Sequence, residues 1–396
     1  MSDDQNGFPW APGSATGIGS MPGTDPAEAM RVVAGELPDF PYLAELPDRG
    51  PGADLVGRTA GLLIDIPVEV TPRGWRLAER PGRDLARARS MLSSDLDVLA
   101  EVLDGYTGLV KIQLCGPWTL AAALERPRTL NVALSDPGAV ADLTASLAEG
   151  AAAYVAEVLK RVPGAQLVVQ FDEPSLPAVT AGEIPTASGL SRFAAVEADT
   201  LRDRMTQVFA AVRGYTVVHC CAATVPFGII RAAGADAVSF DLSQLRRGEE
   251  DAVAEVAEAG MGLLTGAVPA LPEAGDGPTR ADRGDRPGRG DGPGRGDGPG
   301  RGDGPGRGDG PGRGDRAGRG DGTGRGGEAR DTAERVIRFW RRLGLPLASC
   351  GPQVVITPSC GLAGASEVQA RAALTRCRQA ASMLPELIED TRGEPR

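Results

Sequence analysis

Short runs rich in β-branched and apolar residues alternate along the chain with longer stretches in which apolar positions recur every three to four residues. The first pattern marks buried strands and the second amphipathic helices. Candidate strands fall at 15–20, 42–46, 109–114, 166–171, 215–220, 237–241, 262–268 and 354–357. Between them, 137–161, 190–213, 249–259, 332–343 and 365–387 are Ala-rich and long enough for helices. Strands that alternate with helices predict an α/β fold whose parallel strands are joined by helical crossovers. Pro67, Pro72 and Gly74 punctuate a hairpin at 62–75, inserted after the second strand. Eight strands of this kind predict a single (β/α)8 TIM barrel, an architecture that needs about 250 residues. An open doubly wound sheet is the alternative, but no Gly-rich dinucleotide fingerprint follows the first strand.

Composition divides the 396 residues unevenly. From 273 to 330 the chain repeats Gly-Arg-Gly-Asp-Gly-Pro, with almost no β-branched residue and no aromatic one. Such a tract buries too little apolar surface to offset its backbone entropy and is expected to be disordered. Glycine at every second position also excludes a collagen triple helix, which requires every third. The expected organisation is one barrel built from 1–272 and 331–396, with 273–330 a disordered low-complexity insertion. Its Arg-Gly-Asp triplets read as repeat expansion in a tolerated loop. The tract carries 12 Arg against 11 Asp and Glu, so the net charge of −11 belongs to the rest of the chain. An acidic chain offers no electrostatic footprint for nucleic acid or anionic lipid. No apolar run approaches the roughly 20 residues of a spanning helix. Residues 1–17 open with Asp3 and Asp4 and lack the basic and apolar regions of a secretory signal, so a cytoplasmic location is expected. There the six cysteines stay reduced and point to metal binding or catalysis.

The only histidine lies in Val217-Val218-His219-Cys220-Cys221. In a strand, residues two apart face the same side, so His219 and Cys221 can reach one ion while Cys220 points away. Alone, this pair would read as a structural histidine beside inert thiols. Asp241, however, ends the next strand, and Cys360 follows the last. Parallel barrel strands end on one rim, so His219, Cys221, Asp241 and Cys360 can form an N, S, O, S set that suits Zn²⁺ better than Mg²⁺ or Ca²⁺. Asp172-Glu173-Pro174, taken alone, would read as a capping or turn pair.

The ordered motifs Ile18-Gly19-Ser20, Leu114-Cys115-Gly116-Pro117-Trp118-Thr119, Phe171-Asp172-Glu173-Pro174-Ser175-Leu176, His219-Cys220-Cys221 and Ser359-Cys360-Gly361-Leu362 resemble those of the C-terminal catalytic barrel of cobalamin-independent methionine synthase. That family shares its superfamily with uroporphyrinogen decarboxylase. The resemblance implies a zinc-dependent methyltransferase that activates homocysteine, or a similar small thiol, and methylates it to methionine. It implies zinc ligation by His219, Cys221 and Cys360, with Asp241 where the family usually has Glu. It implies contacts to the amino-acid end of the substrate from Ile18, Gly19, Ser20 and Asp172, with Glu45 as partner. Two departures bear on the methyl donor. The second, N-terminal barrel that helps full-length members hold folate is not found here. The family's histidine near the seventh strand is replaced by Gly266-Ala267-Val268-Pro269. Either Asp172 or Glu173 then serves as the acid, or the donor, methyltetrahydrofolate or a methylcorrinoid protein, needs no proton. The competing readings are a decarboxylase of the porphyrinogen type, which leaves the metal set unexplained, and a catalytically idle zinc-binding barrel.

Overall fold

The predicted alternation folds into a curled sheet of six parallel strands with helices packed outside it. The computed structural model describes residues 7–271 and 323–392. A separate antiparallel hairpin, β1 (Val68–Thr71) with β2 (Gly74–Leu77), sits where Pro72 and Gly74 predicted one. The main sheet runs in chain order through β3 (Leu109–Cys115), β4 (Gln166–Asp172), β5 (Tyr215–Cys220), β6 (Ala237–Asp241), β7 (Gly262–Val268) and β8 (Val354–Pro358). These match the last six expected strands to within a residue or so. The first two do not form regular strands. Around 15–20 and 42–46 the chain makes single parallel bridges: Ala15 to Ile356 on β8, Ser20 to Glu45, and Tyr42 to Lys111 on β3. These two extended segments therefore lie between the outer strands of the sheet.

The curl is visible in one apolar layer. Leu109, Val168, Val217, Ala237, Leu264 and Val355, one residue from each parallel strand, form a cluster with Trp10 and Phe40. Trp10 stacks on Phe8 and Phe40 and meets Tyr215 edge-on, closing the N-terminal end of the sheet. Because side chains alternate along a strand, the same inner face continues two residues later with Lys111, Gln170, His219, Ser239 and Thr357, all buried. The interior is thus apolar below and polar towards the C-terminal strand ends.

Of the expected helices, Pro137–Arg161 appears with its predicted bounds. Its N-cap Asp136 accepts from the amides of Gly138 and Ala139, Pro137 opens the first turn, and Lys160 and Arg161 face the negative end of the helix dipole. The stretch 190–213 is helical only at Ala198–Phe209. Helix Arg83–Val102 was not among the expected ones. Of the low-complexity tract, 273–322 lies outside the described residues. The remainder corrects the expectation, since helix Thr323–Arg342 begins well before residue 332. Ala329, Ala333 and Val336 continue its apolar stripe against helix Glu367–Arg392, and Arg376 pairs with Glu328 across that contact. Among the described residues no helix is long and apolar enough to cross a membrane.

Candidate metal and substrate site

The strand ends converge three ligands. His219 ends the inner face of β5, Cys221 follows it by two residues, and Cys360 lies just beyond β8. Their ligand atoms all lie within 4.8 Å of one another, the only such group of three or more among the described residues. The sulfurs of Cys221 and Cys360 are 2.8 Å apart, within hydrogen-bonding distance. The hydrogen bond from Cys221, aided by the His219 ring, pulls the Cys360 thiol down to about 4, while the same bond and burial push Cys221 up. Cys220 faces the opposite side of the strand, fully buried, and burial raises its thiol to about 12.

The histidine is prepared in the same sense. His219 Nδ1 lies 2.9 Å from the hydroxyl of Ser239 on the neighbouring strand, with which it is in register. Its other nitrogen, Nε2, is buried and makes no hydrogen bond. A buried imidazole nitrogen without a partner is costly in a dry site, and a metal removes that cost. The residues present therefore fit a cation that accepts nitrogen and sulfur. Asp241, expected as the fourth ligand, is not in this group: one of its carboxylate oxygens accepts from the amide and hydroxyl of Ser243 in a local turn. An aspartate close to its own backbone competes for itself in this way.

The ligands open onto a cavity of about 270 Å³ whose wall also holds Ile18, Gly19, Ser20, Glu45 and Asp172. Every residue expected to contact the amino-acid end of a substrate is thus brought beside the metal group. Gly361 leaves room for Ser20 in this arrangement, because a Cβ there would meet the Ser20 hydroxyl and turn it away. Asp172 is in register with His219, and Gln170 donates to its carboxylate at 2.7 Å. Burial raises Asp172 to about 7, opposed by His219 and Lys111. Burial also raises Glu45, opposed chiefly by Arg58.

Glu173, expected as a catalytic carboxylate, does not line the cavity. Its oxygens accept from the amides of Trp118 and Thr119 at 2.9 and 2.7 Å and from the Thr119 hydroxyl at 2.7 Å. It thereby caps helix Pro117–Ala123, whose own N-cap, Gly116, has no side chain to do so. A Cβ at Gly116 would overlap the Glu173 carboxylate, so the glycine and the glutamate form one device.

Several residues of the site carry no motif. Lys111, completely buried, donates to the Ile18 carbonyl at 2.7 Å and to Gln113, and burial lowers it to about 7. Gln170 donates to the same carbonyl. The signal in the sequence is the polar residue at alternate positions of an otherwise apolar strand: Val110-Lys111-Ile112-Gln113-Leu114, Gln170 two before Asp172, and Ser239 two before Asp241.

The fold is similar to that of a B12-independent methionine synthase from Shewanella sp. W3-18-1, solved in complex with selenomethionine, with a TM-score of 0.55 at 11% identity, over 96% of this chain and 100% of that one. No sequence among curated proteins matches. The sequence profile of the catalytic domain of cobalamin-independent synthase matches residues 13–274, well over half of the chain. The chain belongs to the family of the cobalamin-independent synthase catalytic domain.

Proposed function

We propose that this protein is a zinc-dependent methyltransferase of the cytoplasm that forms methionine from homocysteine, on a (β/α)8 barrel in which the bridging segments around 15–20 and 42–46 act as the first two staves. The observation that carries the reading is the meeting of His219, Cys221 and Cys360 in a cavity walled by Ile18, Gly19, Ser20, Glu45 and Asp172. Two thiol sulfurs and an imidazole favour zinc over the oxygen-seeking cations, and Asp241 would complete the set by turning from Ser243. Bound there, zinc supplies a Lewis acid that makes a substrate thiol available as a thiolate nucleophile at neutral pH.

The residues of the chain bind and orient. Glu45 and Asp172 accept the substrate ammonium, while Ser20 and the backbone of Gly19 receive its carboxylate. That fixes the sulfur at one end of the cavity and leaves it one direction of attack on a methyl carbon. A carbon–sulfur bond forms, the bond from methyl to its carrier breaks, and the thiol proton leaves to solvent. With His219 engaged as a ligand and Gly266, Ala267 and Val268 on β7, the described residues offer no imidazole to protonate a departing amine. A methylcorrinoid, whose leaving group needs no proton, therefore suits the site better than methyltetrahydrofolate.

The test is methionine formation by zinc-loaded protein with homocysteine and either methylcobalamin or methyltetrahydrofolate. Methionine formed faster from methylcobalamin is the expected result. No methionine from either donor, together with no binding of homocysteine, would overturn the reading.

A further inference from the structure

Glu45 has a buried cation behind it. Arg58, on the short helix Leu55–Ala60, is only 4% exposed, and its Nε lies 3.4 Å from Glu45 Oε1. Its Nη1 donates to Asp95 on helix Arg83–Val102 at 2.6 Å. Asp95 is held in turn by both terminal nitrogens of Arg49, each at 2.7 Å. The chain of charges Arg49, Asp95, Arg58 and Glu45 thus runs from the outer helix layer to the cavity wall. Its outer end is locked by a bidentate pair, the most directional form of this contact.

The inner end is different in kind. At 3.4 Å the Arg58 contact is a charge pairing without a short hydrogen bond, and Arg58 Nη2 makes none at all. Arg58 therefore offsets the charge of Glu45 while leaving carboxylate lone pairs open to the cavity that Glu45 lines. Gln170 occupies one oxygen of Asp172 and Gln113 acts on Glu45, so each carboxylate keeps lone pairs for a ligand, but only Glu45 has Arg58 behind it. A buried carboxylate without a counter-charge takes up a proton, and a neutral carboxyl is a weak acceptor for an ammonium group.

We infer that Arg58, anchored by Asp95, is the positioning residue that keeps Glu45 anionic and directed into the cavity, and that it thereby makes the site select a thiol bearing an α-ammonium group over a thiol acid without one. The inference rests on the homocysteine reading above and adds to it a determinant outside the cavity wall.

The experiment compares binding of homocysteine and 4-sulfanylbutanoate by isothermal titration to the reduced, zinc-loaded protein. The two ligands carry the same thiol and carboxylate and differ in the ammonium, so any contribution of the metal cancels in the ratio of their Kd values. A hydrogen bond to a charged group supports a preference of about tenfold or more for homocysteine in the wild type. Arg58→Met should bring the two ligands to within about threefold, and Arg58→Lys should keep most of the preference. If Arg58→Met does not fold, Arg58→Gln, which can still bond Asp95, gives the same readout. A folded Arg58→Met or Arg58→Gln with the wild-type preference would overturn this inference alone. A wild type with no preference would overturn the homocysteine reading and the inference together.

Discussion

The hydroxyl of Ser239 lies 2.9 Å from Nδ1 of His219, and this fixes Nε2 as the ring nitrogen left for a metal. Partners behind a metal-bound histidine set its tautomer and basicity, and losing one typically lowers metal affinity by about 10- to 100-fold. Ser239→Ala should therefore fold normally and lose zinc to a competing chelator at about 10- to 100-fold lower chelator strength than the wild type. Unchanged zinc affinity would show that the hydroxyl does not orient the ring.

The three ligands make a sharper contrast with their neighbour. Cys221→Ser and Cys360→Ser each remove a sulfur from a group confined within 4.8 Å and should lose most of the bound zinc. Cys220→Ser should retain it, because the Cys220 side chain is on the other face of β5. Metal analysis after gel filtration decides this, and retention of zinc in Cys221→Ser or Cys360→Ser would remove that residue from the site.

Asp172 and Glu173 are adjacent but should fail differently. Glu173→Ala strands the two amides and the hydroxyl at the start of helix Pro117–Ala123 and should cost about 2–4 kcal/mol in urea denaturation. Asp172→Asn should cost much less stability and act instead on homocysteine, raising its KM at least about tenfold by removing a charged acceptor. A variant Glu173→Ala as stable as the wild type would return this glutamate to the list of functional carboxylates.

Much of this division was legible in the sequence, and the reasons differ by element. The six parallel strands are almost wholly buried and announce themselves as short, mostly apolar runs rich in β-branched residues, interrupted only by inward-facing polar residues such as Lys111 and Gln170. The segments around 15–20 and 42–46 look similar but close the sheet through single bridges, a property of tertiary contact that no local pattern carries. His219, Cys221 and Cys360 were readable because thiols and the only imidazole fall at strand ends. Arg58 and Asp95 were not, since they reach Glu45 through space from two helices. The present engagement of Asp241 was not legible either, because strand position alone does not reveal that Ser243 competes for its carboxylate.

Lys111 predicts a pH dependence. Its folded pKa, lowered by burial to about 7, lies below the ordinary lysine value, so between roughly pH 7 and 10 the unfolded chain binds more protons than the folded one. Stability due to this group must rise with pH across that window. Relative to Lys111→Met, the wild type should gain up to about 1 kcal/mol per pH unit from pH 7 upwards, read by urea denaturation. A constant difference between the two proteins would mean that Lys111 titrates as an ordinary lysine.

The claim that a substrate sulfur joins Cys221 and Cys360 around one metal is tested most directly by X-ray absorption at the zinc edge of the loaded protein, with and without homocysteine. Two sulfur neighbours at about 2.3 Å are expected in the free protein and three when homocysteine is bound. A sulfur count that stays the same on saturation with homocysteine would contradict it.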